Sequence, residues 1–242
     1  MPGLVNGVIL RLTFRATMGR RRALLFALPA IVLIAISAVL TATATSGSWR
    51  PEFLGQFGFS VVLPLTSLII GTSVLGAEID DGSIVHLLAT PVPRAQVVVS
   101  KFAVAAALTI AFGAVPEYLA TAIASGLTSG LALGLLAGAL TASVIYNAVF
   151  VMLSVLTTRA IAVGLLYLVV WEGLLANLVP GVKLLSVSQY SLSVADSIAR
   201  NPALHAHLTL ATAVVAAVIV TAAALALGTR RLSRFAITGD SS

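Results

Sequence analysis

The chain has no cysteine, so it can form neither a disulfide nor a thiolate metal site, and it carries no sign of its redox compartment. Charge is nearly as scarce, at 9% of residues, and aromatics make up only 6%. The sequence also lacks G-x-x-x-x-G-K-[ST], H-E-x-x-H and G-x-S-x-G, and has no pair of aspartates within apolar runs. These absences exclude P-loop nucleotide binding, zinc-protease and serine-hydrolase chemistry, and intramembrane aspartyl proteolysis. No catalytic residue, cofactor or metal is therefore expected in this chain. His205 and His207 stand only two apart, would point to different sides of a helix, and have no third ligand nearby.

What is present is apolar. Hydrophobic residues make up 59% of the 242, and the mean hydropathy is +1.09. A water-soluble fold of this size could not hide that much apolar surface, so the solvent is lipid. The net charge of +6 would suit nucleic acid in a soluble protein. In a membrane chain it marks the cytoplasmic side, and no nucleic-acid partner is expected.

A helix that crosses a bilayer needs ~20 mostly apolar residues. Six stretches qualify, at about 23–43, 57–76, 97–122, 131–156, 160–179 and 208–228. Several are rich in Val, Ile and Thr, yet runs this long argue for helices, since a barrel strand needs only ~10 alternating residues. With the N-terminus in the cytoplasm, eleven basic residues fall inside and three, Arg50, Lys183 and Arg200, outside. Both termini are then cytoplasmic. The apolar core after Arg20-Arg21-Arg22 exceeds the ~7–15 residues of a signal peptide, so it is expected to remain as the first span.

The expected fold is an all-α integral membrane protein forming one domain over 1–242. It has six transmembrane helices, an interfacial N-terminal helix at 1–22, a cytoplasmic segment at 77–95 and a re-entrant segment at 180–207 between helices five and six. At the N-terminus, Arg11, Arg15 and Arg22 share one helical strip beside Leu4, Val8 and Leu12, which suits a helix on the cytoplasmic surface. A basic tail without fixed structure is the alternative. Gly126, Gly130, Gly134 and Gly138, four apart, form a groove for close helix–helix packing, within the subunit or across a dimer.

Two carboxylates fall within apolar runs. Glu117 lies roughly 24 Å beyond Lys101, and Glu172 roughly 20 Å beyond Arg159, which puts both in the outer half of the membrane. They line a substrate path, brace the re-entrant segment, or simply reach headgroup water; an intramembrane acid is a functional candidate by default.

The segment "GAEIDDGSIVHLLATPVPRAQVVVSK", residues 76–101, crowds Glu78, Asp80, Asp81, Arg94 and Lys101 between two apolar runs. Asp80, Asp81 and Ser83 suit the start of a short helix. Ile84, Val85, Leu87 and Leu88 give it an apolar patch, Pro91 and Pro93 end it, and Lys101 can reach the lipid headgroups. Such a knob fits a groove on a partner; a loop folded back on the membrane would explain the same patch.

On Glu78, Asp81, Gly82, Ser83, Leu87, Leu88, Thr90, Pro91, Val92, Arg94 and Lys101, this segment resembles the signature of ABC-2 type transporter permeases. The resemblance covers about a tenth of the chain. It implies a bacterial plasma-membrane exporter subunit that pairs with a second permease, identical or homologous, and with two separate ATPases that bind ATP and magnesium. In that family the segment after helix two is the coupling helix, which assigns ATPase coupling to Glu78, Asp81, Gly82, Ser83, Leu87, Leu88, Pro91 and Arg94. Two rival functions remain at this point: a proton-coupled secondary transporter using Glu117 or Glu172, and a non-transporting anchor or assembly subunit.

Overall fold

The computed structural model describes residues 7–80, 92–178 and 180–238. They are almost entirely helical, with no strand among the described residues. Helix α1 spans Gly7–Thr17 and α2 spans Arg20–Thr43. Helix α3 (49–80) runs from Trp49–Phe57 through a wide π turn, Gly58–Val62, into Leu63–Asp80. Helix α4 (94–125) repeats the pattern, with Arg94–Thr109, a π turn at Ile110–Ala114, and Val115–Ser125. Then come α5, Gly130–Leu156, and α6 (160–178), whose stretch Tyr167–Leu175 is again π-helical. Helix α7, Val187–Ala199, is flanked by 3-10 turns at Pro180–Leu185 and Pro202–Leu204, and α8 covers Leu210–Thr238.

Five helices are long and apolar enough to cross a membrane: Arg22–Thr43, Trp49–Gly76, Arg94–Ser125, Gly130–Leu156 and Leu210–Ser233. The fifth expected span, at about 160–179, is only partly there. Its apolar helix, Ala160–Leu175, measures roughly 24 Å at the α-helical rise, short of a ~30 Å hydrocarbon core. The turn at Thr157–Arg159 starts it at Ala160, and Pro180 begins a different turn soon after it ends. The second span begins earlier than the apolar run alone suggests, because Trp49–Phe57 joins it.

Prolines explain two of the three wide turns. Pro64 and Pro116 each follow a π turn by two residues. Proline cannot donate to the carbonyl four residues earlier and clashes with it, so the helix widens there rather than breaking.

Helix α5 is the hub, packed on α3, α7 and α8. Tyr146, Phe150, Phe59, Leu135 and Tyr190 form a core at one end, and Phe26, Ile70, Val97, Val98 and Val151 form a second at the other. Polar side chains tie helices across these cores. Asn147 Nδ2 donates to Thr109 Oγ1 at 2.8 Å, and Ser37 Oγ donates to the Ala120 carbonyl at 2.7 Å. The outward faces of α2 and α8 present Leu24, Leu28, Ile31, Val215, Val218 and Ile219, as expected of helices solvated by lipid.

Helix α1 buries Ile9, Thr13 and Thr17 against α3 and α4. Val8 and Leu12 stay exposed beside Arg11 and Arg15. The single strip expected from the sequence does not extend to Arg22: the helix stops at Thr17, and Arg22 belongs to α2.

Candidate functional site

The starts of α2, α4 and α6 and the ends of α3 and α5 meet at one end of the bundle, where Arg22, Gly76, Thr157 and Ala160 line a shared cavity. The described flanks of the 76–101 segment, up to 80 and from 92, lie at this end. Glu78 lies in the last turn of α3, and Arg94 opens α4 directly after Pro93, whose carbonyl accepts the Gln96 N–H at 2.9 Å. Asp81, Gly82, Ser83, Leu87, Leu88 and Pro91 lie outside the described residues. Lys101 does not reach for headgroups. It is 1% exposed, and its Nζ donates to the Val74 carbonyl at 2.8 Å, which fastens α4 to α3 beneath the segment. A buried ammonium needs an acceptor, and a backbone carbonyl of the neighbouring helix supplies it.

Glu172 is buried in α6 and saturated with donors. Its Oε1 accepts the Val187 N–H at 2.7 Å and the Tyr167 hydroxyl at 3.2 Å. Its Oε2 accepts the Ser186 and Ser188 hydroxyls at 2.6 and 2.9 Å. The carboxylate therefore sits on the first turn of α7, where backbone N–H groups are unpaired and the helix dipole favours negative charge. Ser186 adds its own cap, accepting the Gln189 N–H at 3.4 Å. The Tyr167 contact depends on the π stretch. Five residues apart on an α-helix would lie about 140° apart around the axis, but a wide turn brings them together.

Glu117 is the opposite case. It is 0% exposed, and neither carboxyl oxygen has a hydrogen-bond partner among the described residues. The carboxyl lies against Gly58, where an added Cβ would overlap both oxygens and the carboxyl carbon. The acid thus bridges the wide turn of α3 and the segment of α4 just past its own wide turn. Glu117 and Glu172 share no hydrogen-bond partner among the described residues.

The glycine groove is filled from within the chain, by α7. A Cβ on Gly134 would come within 2.5 Å of the Ala195 carbonyl oxygen, and one on Gly138 within 2.5 Å of the Ser191 carbonyl oxygen. Gly130, at the rim, has 3.8 Å of room. Gly126 is not a rung of this ladder: it ends α4 with φ +93°, and α5 starts only at Gly130.

Sequence reasoning missed Tyr167, Ser186 and Ser188 as partners of Glu172. Ser186 just before the amphipathic run 187–199, with Ser188 in its first turn, carries a capping signal; the i,i+5 spacing of Tyr167 carries none for a reader assuming α-helix. Among the described residues, no three of His, Asp and Glu gather as a metal site.

A family model described as ABC-2 family transporter protein matches residues 18–188. The match takes in α2 to α6, the 76–101 segment, both buried carboxylates and the glycine groove. No curated protein matches the chain.

Proposed function

The chain belongs to the ABC-2 transporter family, and from that we propose that it is the permease subunit of an ATP-driven exporter whose nucleotide sites lie in separate ATPase subunits. The observation that carries this reading is the family match together with the Lys101–Val74 tie. That tie makes the ends of α3 and α4 one unit at the base of the segment assigned to coupling.

In this reading both termini and the 76–101 segment face the cytoplasm of a bacterial cell. The segment docks on an ATPase through Glu78, Asp81, Gly82, Ser83, Leu87, Leu88, Pro91 and Arg94. ATP binding closes the two ATPases, and the motion passes into α3 and α4. A second permease, identical or homologous, completes the substrate path between the subunits. Glu117, buried and without a hydrogen-bond partner, is the stronger of the two acids for a role in that path. Glu172, with its oxygens occupied, positions α7.

Co-purification from native membranes tests coupling. The tagged wild type is expected to bring down a Walker-motif ATPase, and the Glu78→Lys/Asp81→Lys double variant to lose it. If the double variant keeps both the ATPase and transport, the coupling assignment is wrong.

A further inference from the structure

The cavity between α2, α3, α5 and α6 plays no part in the function proposed above. Its volume is about 700 Å³, within the range of small-ligand sites. Two cationic side chains line it, Arg22 from the start of α2 and Arg159 from the turn before α6, and none of its described lining residues is acidic. Neither guanidinium forms an ion pair or side-chain hydrogen bond with a described residue. The hydroxyl protons of Thr157 and Thr158 are likewise unengaged by described residues, although Thr157 Oγ1 accepts the Arg159 N–H at 3.1 Å. The remaining wall is apolar, including Leu25 and Leu165, which are exposed on the flank of the bundle.

Arginine's planar fork suits phosphate oxygens and is weakly hydrated, so two arginines with no acid beside them among the described residues, next to hydroxyl donors that no described residue engages, suit an anion. A soluble anion would not need the apolar wall. A phosphodiester carrying acyl chains uses both halves, with its headgroup between the arginines and its chains along Leu25 and Leu165. Basic pockets between membrane helices recognise lipids in this way. We propose that this cavity is a binding site for an anionic phospholipid, held by Arg22 and Arg159 through its phosphate.

The test uses the full chain, purified, delipidated in detergent, and titrated with phosphatidylglycerol, with phosphatidylcholine of the same acyl chains, or with inorganic phosphate. Native mass spectrometry counts what is bound. Two arginines at a membrane surface should give wild type at least about a tenfold preference for phosphatidylglycerol over phosphatidylcholine. The Arg22→Gln/Arg159→Gln variant is expected to lose that preference. Ala162→Phe, which fills the cavity and leaves both arginines, is expected to weaken phosphatidylglycerol binding as well. Arg200→Asn, at the other end of the bundle, should leave it unchanged. Equal retention of the two lipids by wild type, or an unaltered preference in the double arginine variant, overturns the site. Displacement of phosphatidylglycerol by inorganic phosphate overturns the assignment to a lipid.

Discussion

The Glu117 carboxyl lies against Gly58, in the wide turn of the neighbouring helix, with no room for a side chain between them. Gly58→Ala is therefore expected to cost about 1–3 kcal/mol by overpacking. Glu117→Ala makes the space, so adding it to Gly58→Ala should recover most of the loss. Melting temperatures of the two single variants and the double in detergent form the cycle; strictly additive losses would mean that the two residues do not touch.

Glu172 supports α7 from outside. Removing its carboxylate in Glu172→Ala leaves the buried Val187 N–H, the Tyr167 hydroxyl and one of the two serine hydroxyls without an acceptor, the other serine being able to donate to its neighbour, at about 2 kcal/mol or more in total. Glu172→Gln keeps one acceptor oxygen and should be milder. Hydrogen exchange is expected to rise first at the start of α7, and uniform protection in Glu172→Ala would contradict the capping role. Transport, measured in vesicles, should fall in Glu172→Gln while assembly persists.

The four glycines spaced four apart are not equivalent. Gly134→Ala and Gly138→Ala would push α7 away through its own backbone carbonyls, which cannot rotate aside, so each should lower stability by about 1–3 kcal/mol. Gly130→Ala has room and should be close to neutral. Gly126→Ala touches nothing, yet it should still destabilise, because φ +93° with ψ 147° is strained for any residue with a side chain. A thermal-stability series over the four sites checks this order.

Lys183 Nζ lies 2.9 Å from His207 Nε2, joining the turn before α7 to the loop before α8. Partial burial, then the charge of Lys183, then His205 hold the His207 imidazole below its ordinary range. The sign follows from linkage: the folded state resists protonation, so this stability is complete above the unfolded value of about 6.5 and declines as the pH falls through it toward the lowered folded value. Thermal stability measured from pH 8 to pH 5 should decline at the acid end. His207→Asn should flatten that part of the curve.

Much of the helical layout was legible because lipid forces each span to satisfy its own backbone, so apolar run length is a strong signal. Run length did not reveal that Trp49–Phe57 extends the second span, nor that α6 is short. Both depend on turn chemistry at the ends, not on hydropathy. The spacing of Gly134 and Gly138 announced a close approach but not its partner, because the facing surface of α7 is backbone carbonyl, which has no letter in a sequence. Glu172 stood out as a costly acid, while three of its four donors lay fourteen to sixteen residues away, beyond a break in the helix. Lys101 looked like a residue bound for headgroups; only the packing of α4 on α3 turns its ammonium inward.

The bond from Lys101 to Val74 also decides where this pair of helices yields. It fastens α3 and α4 roughly 18 Å along α3 from Val62 and roughly 14 Å along α4 from Ile110. Between that fastening and the wide turns, both helices keep regular hydrogen bonding, so under the coupling proposed above a push near Arg94 is expected to move them as a single stiff arm. Any bending is expected beyond, at 58–62 and 110–114, where the ladder is already loosened. Gly58 and Glu117 meet at that place, which makes their contact the fulcrum of the lever.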